Sequence, residues 1–284
     1  MVRNEDDIID LWLEETKKWS DFMVIIDHLS DQQIATKLRD WCAVNSAIYL
    51  RYESNKYSQA ALVNSVLKTI ANKIPKHVVV IPIDSDEFIS AKRIALILAT
   101  LSKSPRTILK MYWRNAYPNS KSIKTEEVLS VDSNMHLCSQ VSSTFKVCTT
   151  IGNIKEEGLR YSQGGHYLIN PMGSFAESHS VSNVEMLHIP IRSEAQYENK
   201  ISNGTRAYRA KNRFNIFERK LGLHWVILSE IPKEWRKDLF PVIVKNYGDS
   251  DLLGLSTILS QKDVQKMLEE EFLPFSIAAY LEQA

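Results

Sequence analysis

The side chains best suited to chemistry are carboxylates at the ends of apolar runs. The run from His77 to Ile83 stops at Asp84-Ser85-Asp86-Glu87-Phe88. Two carboxylates two residues apart at a strand end can aim at one ion. Hard oxygen ligands of this kind suit magnesium or manganese, above all when a phosphate completes the shell. Taken alone, D-x-D is common, and the same residues also read as an acidic loop leaving the core. A second pair of features is Asn4-Glu5 and Asp27, the latter closing the apolar run Phe22–Asp27. At a sheet's carboxyl edge these side chains can hydrogen-bond a nucleobase or ribose, although Asn4 equally suits a helix cap. A third is Gly164-Gly165-His166, followed by His188-Ile189-Pro190-Ile191-Arg192-Ser193 and Lys200. A single histidine is more often a satisfied core or surface residue, and Arg192 and Lys200 also read as solvated charges near a helix start.

The elements that must position these groups alternate between helical and extended signals. Asn4 to Trp19 puts Ile8, Ile9, Trp12, Leu13, Thr16 and Trp19 on one helical face. Asp31 to Trp41 is a second helix, and Ala60, Val63, Leu67, Ile70 and Ile74 mark a third. Phe22–Asp27, Ser46–Glu53 and His77–Asp84 read as strands, with Pro82 marking a bulge or the end of the ladder. Strands alternating with helices imply a largely parallel sheet covered on both faces, with ligands at its carboxyl edge. Further on, Arg106–Trp113, Phe145–Ile151, Leu159–Ile169 (broken by Gly164-Gly165) and Met186–Ile191 read as shorter strands. Ala116–Asn134 reads as a loop, and helical signals, including Asp263–Phe272, dominate from Ser193 onward.

Composition narrows the classes. Of 284 residues, 44% are hydrophobic and 24% charged, enough for a well-buried core. Lys and Arg total 35 against 34 Asp and Glu, a net charge of +1, which argues against wrapping nucleic acid. The three cysteines form no C-x-x-C, so neither a zinc ribbon nor a dithiol redox motif is expected. Neither the dinucleotide fingerprint G-x-G-x-x-G nor the P-loop pattern occurs. No apolar run approaches the ~20 residues of a membrane span, and the acidic start is unlike a signal peptide. A reducing cytoplasm is the expected compartment.

The order of blocks is more specific than any one of them. M-V-R-N-E-D-D-I-I is followed by Asp27 with Ser30-Asp31, then Y-S-Q-A-A-L-V-N, I-P-I-D-S-D-E-F, G-G-H and H-I-P-I-R-S-E-A-Q-Y-E-N-K-I-S-N-G. Over roughly residues 1 to 205 this series resembles the family-2-like bacterial glycosyltransferases of the D-x-D-E-F type, related to the family-92 group. The resemblance implies a GT-A type α/β fold: a mixed, mainly parallel sheet flanked by helices, with a helical C-terminal extension. It divides the chain into a transferase domain at 1–204, with a nucleotide-binding half to about 100 and an acceptor half beyond, and an extension at 205–284. It implies a nucleotide-sugar donor, a uridine diphosphate sugar being favoured, bound by Asn4, Glu5, Asp27, Asp84, Arg192 and Lys200. It also implies Mn2+ or Mg2+ held by Asp84, Asp86 and His188, and catalysis by His166 or Glu87 as the base of an inverting displacement.

The acceptor expected on this reading is a glycan or a lipid-linked glycan of the cell envelope. The basic, aromatic stretch from Thr205 to Phe214 is suited to peripheral contact at the inner membrane face, or to a solvated helix face. Two other readings compete: a non-catalytic glycan-binding or scaffold subunit derived from a transferase, and an Asp-based phosphatase. The phosphatase pattern wants Thr or Val where this chain has Phe88.

Overall fold

The computed structural model describes residues 1–54, 59–118, 128–209, 229, 243, 244, 247 and 272–283. Seven helices and eleven strands are defined among them, a mixed α/β architecture as expected. In chain order they are α1 (Ile9–Lys17), β1 (Val24–His28), α2 (Gln32–Val44), β2 (Ile48–Tyr52), α3 (Gln59–Ile70), β3 (Val79–Val80), β4 (Glu87–Phe88) and α4 (Ala91–Lys103). There follow β5 (Leu109–Pro118), β6 (Asn134–Cys138), β7 (Phe145–Thr150), α5 (Ile151–Glu156), β8 (Arg160–Tyr161), β9 (Leu168–Ile169), β10 (His179–His188), α6 (Glu194–Arg209), β11 (Phe272–Ser276) and α7 (Ile277–Gln283). The chain forms two compact units, one of Met1–Tyr112, Phe145–Met186 and Leu281–Ala284, the other of Trp113–Thr144 and Leu187–Tyr280. Leu187 opens the later segment of the second unit, and Leu281–Ala284 return to the first.

In the first unit, β1 and β2 pair in parallel, with Asp27 opposite Arg51. Val2 adds a single parallel bridge on the other side of β1, its N–H donating to the Ile26 carbonyl at 2.9 Å. β1 is buried from Ile25 to His28 and reads as a continuous apolar run, whereas Ile48 and Leu50 of β2 are exposed. α2 begins at Asp31, whose carboxylate caps the Ile34 N–H at 3.0 Å. α1 starts later than expected: its N-cap is Ile8, with no side-chain cap. Asn4 is left-handed (φ 50°), a region asparagine tolerates. It serves instead as a clip, its amide oxygen accepting from the Asp31 N–H at 2.8 Å and its own N–H donating to Ser30 Oγ at 3.1 Å.

The sheets are mixed, as expected: β1 and β2 pair in parallel, and among the described residues the antiparallel pairs are more numerous than a mainly parallel sheet implies. β7 runs antiparallel to both β3 and β5, Val80 facing Thr149 and Met111 facing Lys146. β3 is only two residues long because Pro82 brings no N–H to extend the ladder. Val147, with Leu67, Ile108, Ile151, Ile154, Leu159, Tyr161 and Leu168, forms one apolar core. Side chains alternate along a strand, so Lys146 points to the opposite face of β7 from Val147.

In the second unit, β6 pairs antiparallel with the last residues of β5, Leu137 facing Ala116, and with β11. β5 thus extends to Pro118, into the stretch read as a loop from Ala116. Residues 119–127, most of 205–271 and the expected helix Asp263–Phe272 up to its last residue lie outside the described residues; Phe272 itself opens β11.

Candidate active site

The acidic turn closes on itself before α4. The Glu87 N–H donates to the Asp84 carbonyl at 3.1 Å, and the Asp84 N–H donates to Glu87 Oε2 at 2.7 Å. Ser90 then caps α4 by accepting from the Arg93 N–H. This local folding brings the carboxylates of Asp84 and Glu87 together around a cation the sequence reading did not include. Lys146 Nζ lies 2.7 Å from Asp84 Oδ2 and 2.8 Å from Glu87 Oε2. Lys146 is 1% exposed and Glu87 fully buried, whereas Asp84 keeps 30% of its side chain accessible. The other Asp84 oxygen accepts from Gln59 Nε2 at 2.9 Å, and the Met1 amino group lies 3.4 Å from it.

Charge states follow from this packing. Burial alone would raise the Asp84 carboxyl and lower the Lys146 ammonium, but their mutual attraction wins at both, so Asp84 is held down and Lys146 up. Glu87 goes the other way. Its complete burial, with Asp84 and Asp86 close by, outweighs Lys146 and pushes its pKa up to about 8. Its Oε1 is buried with no hydrogen-bond partner among the described residues.

His166 stands against the same cluster. Its Nδ1 lies 2.6 Å from the Phe145 carbonyl. A carbonyl only accepts, so Nδ1 carries the proton and Nε2 is the accepting nitrogen. Burial, assisted by the Lys146 charge, lowers the imidazole pKa despite the Phe145 bond, and the ring is neutral near pH 7. The double glycine has a geometric reason. Gly164 and Gly165 both have positive φ, and a Cβ on Gly164 would sit 2.5 Å from the His166 ring. Beyond His166, Tyr167 stacks on Phe175 at 4.5 Å, and Met172 and Phe175 are 87% and 58% exposed.

Asp27 is fully buried at the end of β1 and satisfied three ways. Oδ2 accepts from Tyr49 Oη at 2.7 Å and Arg51 Nη1 at 3.0 Å, and Oδ1 accepts from the Ser30 N–H at 3.0 Å. Parallel register puts Arg51 opposite Asp27, and the two-residue period puts Tyr49 on the same face. Arg51 also donates to the Ser30 carbonyl at 3.0 Å. The Glu5 carbonyl accepts the first N–H groups of α1, from Ile8 and Ile9.

Asp86 is buried in the acidic turn of the first unit. His188, Arg192 and Lys200 belong to the second unit. His188 is buried, its Nδ1 is 2.8 Å from Asn115 Oδ1, and its ring stacks on Trp113 at 4.0 Å. Arg192 is buried and donates to the Ile189 carbonyl at 3.1 Å. Lys200 donates to the Pro190 carbonyl at 3.0 Å and lies over the Tyr247 ring. Each contact is of the kind a satisfied structural residue makes. Among the described residues, no three His, Cys, Asp or Glu side chains are grouped to hold a metal ion. Asp84, expected as a ligand, accepts from Lys146 and Gln59.

Gln59, Lys146, Tyr49 and Arg51 are the partners of Asp84 and Asp27 that the sequence reading missed. Lys146 alone carries a signal, as a lysine inside the apolar run Phe145–Ile151 must find a counter-charge if buried. Among the described residues, no helix is long and apolar enough to cross a membrane.

No family model and no curated protein matches the chain, so the family-2-like resemblance has no family match behind it. Two solved structures are similar in backbone course. One is S. aureus TarS, with a TM-score of 0.44 and 13% identity, covering 92% of this chain and 45% of that one. The other is S. aureus TarS 1-349 in complex with UDP, with a TM-score of 0.43 and 12% identity, covering 93% and 75%. This chain thus spans less than half the length of the first. At these scores no role passes from those proteins to this one.

Proposed function

We propose that the chain is a glycosyltransferase with a GT-A type fold, moving a sugar from a nucleoside diphosphate donor, a uridine diphosphate sugar being favoured, to an acceptor hydroxyl. The observation that carries this reading is the D-x-D turn and His166 meeting around Lys146 within one unit. The reaction is a direct displacement with inversion. As the acceptor oxygen bonds to the anomeric carbon, the bond from that carbon to the diphosphate breaks, and His166 Nε2 takes the hydroxyl proton. His166 is preferred to Glu87 as base because the imidazole is neutral near pH 7, whereas a carboxyl with a pKa of about 8 is mostly protonated there.

Asp86 is the turn carboxylate we assign to Mn2+ or Mg2+, together with phosphate oxygens of the donor. When bound, the metal supplies charge neutralisation on the leaving diphosphate. Asp27 holds Arg51 and the turn to Ser30, shaping the pocket for base and ribose together with Asn4 and Glu5. The exposed Tyr167, Met172 and Phe175 suit the apolar face of a glycan or lipid-linked glycan acceptor. We place the reaction at the cytoplasmic side of envelope glycan synthesis.

The test is thermal stability against a panel of nucleotides and nucleotide sugars with and without Mn2+. A ligand at about 100 times its dissociation constant stabilises by ~2.7 kcal/mol. Uridine diphosphate compounds with metal are expected to give the largest shift, and Asp86→Ala is expected to remove the metal-dependent part. A folded wild type that responds to no nucleotide would sink the proposal.

A further inference from the structure

We propose that Lys146 is a positioning residue of the donor site: its ammonium is the standing cation of the acidic turn, holding Asp84 and Glu87 and keeping a divalent metal off both. The donor-site role rests on the transferase reading; the lock itself does not. β7 delivers the lysine because its period puts Val147 into the apolar core and Lys146 onto the opposite face, beneath the turn. Two of the ammonium's three donors are taken by carboxylates at 2.7 and 2.8 Å. Glu87 Oε2 also receives the Asp84 N–H, so the same contacts that neutralise the lysine fix the backbone of the turn.

The arrangement has a consequence for metal binding. A divalent ion taking Asp84 and Glu87 as ligands would compete for the oxygens Lys146 holds and would lie beside its ammonium, a like charge in a poorly solvated site. Without the ammonium, the Asp84 carboxylate and the Glu87 carboxyl group, tied into one short turn, would face each other with no cation between them, and a divalent ion that displaced the Glu87 proton would have both as ligands. That is a site a divalent ion would fill.

The experiment is a Mn2+ titration followed by electron paramagnetic resonance, without nucleotide, on wild type, Lys146→Met and Lys146→Met/Asp84→Asn. Lys146→Met is expected to bind Mn2+ at least about tenfold more tightly than wild type, and the double variant to lose that gain. Melting temperatures provide a second readout. Lys146→Met is expected to melt well below wild type, and the double variant to recover much of the loss, because the stranded Asp84 carboxylate is gone. If Lys146→Met does not fold, a folded double variant supports the lock and an unfolded one overturns it. The proposal also fails if wild type binds Mn2+ as tightly as Lys146→Met, or if the double variant is no more stable than the single. These readouts need no nucleotide. A wild type that binds no uridine nucleotide would overturn the donor-site reading, and the Mn2+ and stability results would still decide the lock.

Discussion

Glu87 is the residue whose charge state most depends on where the fold puts it. Its folded pKa of about 8 lies far above the ordinary ~4.3 of a glutamate, so the folded state binds a proton that the unfolded chain has lost across that interval. The stability this contributes is full below the unfolded pKa and is lost as pH rises through 8. Glu87→Gln keeps the size and the neutral form. Urea unfolding from pH 6 to 9 is therefore expected to show wild type losing stability relative to Glu87→Gln as pH rises. Parallel curves for the two proteins would mean that Glu87 is charged throughout. The same burial that disqualifies Glu87 as a base at neutral pH leaves that task to His166, whose pKa shifts downward.

At the scale of elements, the turn from Gln163 to Gly165 does the positioning. It links β8 to β9 and sets the imidazole against the Phe145 carbonyl. Gly164 is required twice over, for its φ of 78° and for the space that the His166 ring occupies. Gly164→Ala is expected to cost about 1 kcal/mol or more in stability from backbone strain alone. It should also push the ring aside, removing much of the ~10²–10⁴-fold contribution of a general base while sparing donor affinity. Steady-state rates beside calorimetric donor binding would check this, and a rate within about twofold of wild type would remove His166 from the base role. The parallel pair β1 and β2 acts in the same way for Asp27, since register alone decides that Arg51 and Tyr49 share its face.

For the whole molecule, three histidines in different places share one tendency. Burial leads in lowering His28, His136 and His166, so the unfolded chain, with its histidines near ~6.5, takes up protons before the folded one. The stability these groups contribute is present above that value and is lost as pH falls toward their folded pKa values. Glu87 opposes the trend over the same interval, so the histidines are read in Glu87→Gln. That variant is expected to unfold at lower denaturant at pH 5.0 than at pH 7.5, and wild type to lose less over the same change. Equal stability of the variant at the two values would show the histidines to be solvated in the folded state.

Much of this protein was legible in order along the chain. The helix faces of α1 to α3, the buried strand ending at Asp27, the ladder stopping near Pro82 and the glycines before His166 all follow from periodicity, backbone freedom and the missing proline N–H. These are local properties, fixed within a few residues. What the sequence could not state was partnership across long separations. Asp84 and Lys146 are 62 residues apart, Asp27 and Arg51 24, and Asn115 and His188 73. A carboxylate that reads as a metal ligand and one that holds a buried ammonium have the same local sequence. Likewise, nothing near His188 in sequence announces that its ring stacks on Trp113. Only the antiparallel register of β7, which sends Val147 into the core and Lys146 beneath the turn, decided which cation the acidic residues hold, because counter-charges are chosen by distance in space.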